Sequence, residues 1–162
     1  MSNQEMLAGM DIVVMDAPDI SAPLTFTTTT HGVNMKNYRT VLACLLITDA
    51  ATGSVITMKQ AATSTVNTAL GFTKYWYKAD YSSSNAFVEG TAAANTFTTG
   101  VASATALYVI PITGDMLDKT ADAEDMYVRL NAASAASATG ALWYIMGNAR
   151  FSGDPASLPS IA

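Results

Sequence analysis

Residues 31–48 read "HGVNMKNYRTVLACLLIT". This stretch carries the chain's only His and only Cys and then runs into a dense apolar segment. It is either a reactive site or the entry to a buried strand, and its alternation decides for the strand. Val41, Ala43, Leu45 and Ile47 fall on one face, and Leu42, Cys44 and Leu46 on the other. Successive side chains of a strand point to opposite sides, so a strand apolar on both is expected to be covered on both. "HGVN" reads as a turn, and Met35, Asn37 and Tyr38 lead the chain into the sheet. The Asn side chains can bond loop backbone groups there. Cys44 then acts as a small hydrophobe.

The flanking segments follow the same grammar of short β-prone runs and Gly, Ser, Thr and Asn punctuation. "APLTFTTTT" (22–30) is β-prone. "DAATGS" (49–54) turns the chain, with Gly53 free to take a positive φ, and "VITMKQAAT" returns it. In "GFTKYWYKADY" (71–81), Lys74, Trp76 and Lys78 alternate with Tyr75 and Tyr77. In "ALYVIPI" (106–112), Pro111 argues for an edge or a strand end. "GDMLDKTADAED" (114–125) is the best short-helix candidate, with Asp115 near its start. "MYVRLNAAS" and "ALWYIMGNARF" are the last strands, joined by "AASAASATG" as a hairpin connection. The predicted fold class is all-β: a β-sandwich or jelly-roll-like barrel with one short helix and extended terminal arms.

Three zones separate by composition: an N-terminal arm (1–22), a β-sandwich domain (23–151) and an extended C-terminal tail (152–162) with two prolines. The arm concentrates Met1, Met6, Met10 and Met15, and Met adapts to irregular apolar surfaces. Too short to form a core, the arm and tail are expected to dock on another surface. Met6, Leu7, Met10, Leu158 and Ile161 are the candidate partner-binding residues.

Charged residues are 13% of the 162 and hydrophobic ones 50%, a folding composition with net charge −5. The eight basic residues form no stripe, which argues against nucleic acid. No apolar run is long enough for a membrane helix, and "MSNQEMLAGMDIVV" does not read as a secretory signal, so synthesis in a cytoplasm is expected. His31 has no identifiable catalytic partner and reads as a loop residue. Asp115, Asp118, Asp122, Glu124 and Asp125 lack calcium-loop spacing and an internal Gly, and so read as a solvated face; Asp11, Asp16 and Asp19 do no better. No phosphate loop, nucleophile elbow or CxxC is present. No catalytic, metal or cofactor residue is assigned, and an enzyme is not expected. Tyr75, Trp76, Tyr77 and Tyr81 leave open a carbohydrate-binding or adhesin-like module.

The lead-in "VNMKNY" and its apolar strand are followed in order by "FTKYWYKAD", "FTTG", "LYVIPITGDMLD" and "MYVRLNAAS", ending near "ARF". This series, over residues 31–151, resembles the head decoration, or cement, proteins of tailed bacteriophages. The resemblance implies a structural virion protein on the capsid exterior, synthesised in the cytoplasm of a bacterial host. It would bind the major capsid protein, lock neighbouring subunits together and assemble as a trimer or dimer without enzyme activity. Another tail or head-completion subunit is the alternative within the same class. No family binding residue carries over to a position of this sequence.

Overall fold

The computed structural model describes residues 11–14, 32–49, 53–62, 68–79, 86–100, 105–120, 123–124, 127–133 and 139–149. They form two antiparallel sheets, an all-β sandwich-like fold. The first sheet has six strands. In spatial order they are β1 (Asp11–Val14), β13 (Thr139–Ala149), β3 (Tyr38–Asp49), β9 (Ala106–Thr113), β6 (Lys74–Lys78) and β7 (Val88–Thr91). The second runs β2 (Val33–Asn34), β12 (Tyr127–Ala133), β4 (Val55–Ala61) and β5 (Thr68–Ala69), with β8 (Thr96–Thr98) also pairing β4.

The core follows from alternation. Register places Leu142, Leu45 and Tyr108 in one inward row, Tyr144, Ala43 and Ile110 in the next, and Met146, Val41 and Ile112 beyond. All nine are buried. The small Ala43 lies between two larger neighbours, the size complementarity that close packing needs. From the second sheet come Ile56, Met58, Val128, Leu130 and Ala132, all fully buried. Tyr144 also ties the sheets together: its hydroxyl accepts the Leu130 N–H at 2.8 Å. Burial pushes its phenol well above the usual range, against the opposing pull of that bond and of Arg129.

Several local expectations need correction. Val33–Asn34 is not a turn but strand β2; the turn follows at Lys36 and Asn37. Asn34 Oδ1 accepts the Lys36 N–H there at 2.8 Å, the side-chain role expected of an Asn. The helix candidate shrinks to one 3-10 turn, Gly114–Met116. The acidic remainder forms the two-residue strands β10 (Lys119–Thr120) and β11 (Ala123–Glu124), which pair with each other. The link between β12 and β13 is not a hairpin connection, because the two strands lie in different sheets. The turn after β3 likewise carries the chain across to the second sheet. Pro111 sits in an interior strand, yet β6 reaches only Leu107, Tyr108 and Val109 of β9, so the proline has a strand partner on one side alone.

Gly53 does not take a positive φ; no glycine among the described residues does. It is needed for close approach, since a Cβ there would lie 2.3 Å from the Thr99 carbonyl oxygen. Beside it, Ser54 N donates to Thr99 Oγ1 at 2.8 Å and Thr99 N to Ser54 O at 2.9 Å. Gly53→Ala is therefore expected to lower stability by about 1–3 kcal/mol, read by urea denaturation. An unchanged midpoint would mean that the Ser54–Thr99 contact yields freely.

Part of the expected arm joins the body: Asp11–Val14 pairs antiparallel with Trp143, Tyr144, Ile145 and Met146 of β13. The rest of the arm, the tail and the "APLTFTTTT" run lie outside the described residues.

Candidate functional site

The two outer faces of the sandwich differ in kind. On the second sheet, the outward positions include Thr57, Lys59, Tyr127, Arg129 and Asn131. Asn131 Nδ2 donates to Thr57 Oγ1 at 3.3 Å across the strands. This is the ordinary polar dressing of a half-buried sheet. Arg129 is nevertheless buried, which lowers its pKa from the usual guanidinium value.

The six-stranded sheet has no such dressing at its centre. Register places Trp143, Cys44, Val109 and Trp76 in one outward row. Ile145, Leu42 and Pro111 form a second; Ala141, Leu46 and Leu107 form a third. Apart from Cys44, which is buried between its neighbours, these side chains are half-buried. On the core side of β3 the expected cover is complete; on the outer side Cys44 is buried and Leu42 and Leu46 are half-buried. Beyond β13, the register sets Val14 opposite Trp143 and Ile12 opposite Ile145.

Polar groups bound this field. Along β3 it ends at Thr40, reached by Asn148 Nδ2 at 3.4 Å, and at Thr48, whose hydroxyl lies 2.7 Å from that of Thr139. Toward β7 it ends at the Lys74–Glu89 ion pair of 2.8 Å and at Lys78, whose ammonium stands 5.6 Å from the centre of the Phe87 ring. An apolar centre with a polar rim is the anatomy of a protein interface. Four strands at about 4.8 Å spacing and five residues along each give roughly 300 Å² in projection, the lower end of the range for the largest apolar patch on a monomeric protein. A standard interface needs about 800 Å² per partner, so the field alone is smaller than one.

Protein-family models, curated proteins and solved structures were compared with the chain, and none matches it.

The sequence candidates fare unevenly. Met6, Leu7, Met10, Leu158, Ile161, His31, Tyr81, Asp16, Asp19, Asp122 and Asp125 lie outside the described residues. Tyr75 and Tyr77 do not share a face with Trp76: the tyrosines pack against the core, and Trp76 joins the outer field. A single aromatic platform is thereby excluded. Asp118 is more than a solvated charge. Its Oδ2 accepts from Gln60 Nε2 at 2.7 Å, and its N–H donates to Gln60 Oε1 at 3.0 Å, fastening the loop after the 3-10 turn to β4. Among the described residues no group of His, Cys, Asp and Glu is arranged to hold a metal ion, and no helix is long and apolar enough to cross a membrane. The outer field itself was readable as the second apolar face of β3, "L-C-L", repeated in "W-I" of β13 and "L-V-P" of β9.

Cys44 reports on this face. Burial pushes its thiol up from 9.0 to about 11. A raised native pKa favours the neutral thiol, so its contribution to stability is full below pH 9 and is lost as pH rises toward about 11. Alkylation at pH 8 is expected to be slow in the native protein and fast in denaturant, and the native rate should keep climbing above pH 9. Equal rates in both states at pH 8 would show the thiol open to solvent.

Proposed function

We propose that the chain is a structural virion protein of the head-decoration class. In this reading it lies on the outside of a phage capsid, with the outer face of its six-stranded sheet against the major capsid protein. The observation that carries the reading is the asymmetry of the sandwich: one outer face carries Thr57, Lys59, Arg129 and Asn131, and the other has an apolar centre containing Trp76, Trp143, Leu42 and Leu46. Such a face is stable in solution only if protein covers it or if its exposed part stays small. The ordered likeness to decoration proteins over residues 31–151 adds the kind of partner, and trimers or dimers of the chain belong to the same reading.

The test is a paired one. Leu46→Asp with Trp143→Asp places two charges at the centre of the field without touching the core rows. The double variant is expected to melt as one cooperative unit and to lose co-sedimentation with heads that lack the native chain. Unchanged binding by a folded double variant would remove this face from the interface.

A further inference from the structure

One edge of the six-stranded sheet is β7, which among the described residues pairs with β6 alone. Sheet edges are ordinarily protected by a lysine, a proline or a bulge. β7 has none of these: it reads Val-Glu-Gly-Thr and pairs with β6 from Thr91 to Val88 without a register shift. Its one charge, Glu89, is neutralised by Lys74 at 2.8 Å. Its shortness, four residues, is the protection that remains, and it limits the strength of any contact made there. The two most exposed large hydrophobic side chains among the described residues, Val88 at 50% and Phe87 at 48%, stand side by side at this edge. Val88 is opposite Tyr77 and so lies on the core side; Glu89 is opposite Trp76 and lies on the outer side. Phe87 joins Glu89 on the outer side, under the Lys78 ammonium.

We infer that β7 is the edge through which two copies of this chain join, antiparallel about a two-fold axis at Val88, so that their six-stranded sheets run on as one. The strand is self-complementary in that register. An axis at Glu89 would set two carboxylates opposite each other, which is unfavourable. An axis at Val88 sets Val88 against the second copy's Val88, and Phe87 against the second copy's Glu89. One outer row then runs from Trp76 and Glu89 of one copy to Phe87 and Lys78 of the other. Lys78 has no ion pair among the described residues, and this row gives it a carboxylate on the far side of the Phe87 ring. The joined sheet also lays the two outer fields side by side on one face. At roughly 300 Å² each they make about 600 Å², closer to the roughly 800 Å² per partner of a standard interface than one copy offers. In that respect the inference deepens the capsid reading and rests on it, whereas the edge contact itself is read in solution, without heads.

Sedimentation velocity of the full chain, from about 1 to 100 μM, tests it. A reversible dimer is expected. Val88→Lys, at an exposed position, sets two ammoniums opposite each other at the axis and should weaken the dimer about tenfold while the chain still melts cooperatively. Cross-linking reads the register. Residues directly opposite on antiparallel strands have Cα atoms about 4.5–5.5 Å apart, within disulfide reach, so Val88→Cys should give a disulfide-linked dimer on mild oxidation with diamide. Thr91→Cys lies three residues from the axis on each copy and should not. Cys44 stays in both variants, since its burial keeps it out of the exchange. A monomer at every concentration, a trimer, a dimer that Val88→Lys leaves intact in a folded chain, or equal cross-linking by the two cysteine variants overturns the inference. The dimer is expected to survive Leu46→Asp with Trp143→Asp, which strikes the capsid face alone, so a failure of that reading is told apart from a failure of this one.

Discussion

Tyr144→Ala is expected to lower the unfolding free energy by about 3–5 kcal/mol, the range for deleting a buried aromatic side chain. Tyr144 is fully buried on β13, beside Ala43, where no larger neighbour stands ready to fill the space. Its hydroxyl is also the partner of the Leu130 N–H, beyond the short reach of β2, which pairs β12 only at Tyr127 and Val128. Tyr144→Phe keeps the ring and removes that acceptor. It should cost about 1–3 kcal/mol, the penalty for an unsatisfied buried donor. Urea denaturation of the three proteins separates the two contributions. A Phe variant as stable as the native chain would show that water or another group takes over the Leu130 N–H.

Leu45 and Leu46 give the second large effect, as a contrast between neighbours. Leu45→Ala should cost about 2–5 kcal/mol, because the side chain sits in the core row between Leu142 and Tyr108 and is fully buried. Leu46 is half-buried on the outer field, so Leu46→Ala should cost about 1 kcal/mol or less in the isolated chain. In attachment to heads the order reverses, with Leu46→Ala the more damaging of the two at a temperature where both are folded. Equal stability losses would mean that the outer side of β3 is as firmly packed as the core side.

The strength of these contrasts shows what the sequence could reveal. Period-two alternation placed Val41, Ala43, Leu45 and Ile47 together and separated Tyr75 and Tyr77 from Trp76, because side-chain direction in a strand is a local property. Pairing is not local. Nothing in "DAATGS" or "AASAASATG" distinguishes a hairpin from a crossing between sheets, and both proved to be crossings. Gly53 was singled out correctly for the wrong reason, since the Thr99 carbonyl that excludes a Cβ is remote in sequence. The acidic stretch after Pro111 had helical composition, but Gln60 of β4 fixes Asp118 and the chain then turns into β10 and β11. The outer field was present in the sequence as a second apolar face. Its meaning as a surface needed the sheet order, which brings Trp143, Cys44, Val109 and Trp76 into one row.

That row carries the account of function, and a cryo-electron microscopy reconstruction of the purified particle tests it most directly. The account predicts density for this sandwich on the head exterior. The outer face of β13, β3, β9 and β6 should lie against the capsid, and Trp143 and Leu46 should be shielded from solvent. A head exterior without the chain, or a sandwich whose polar second sheet meets the capsid while Trp143 and Leu46 face solvent, would contradict it.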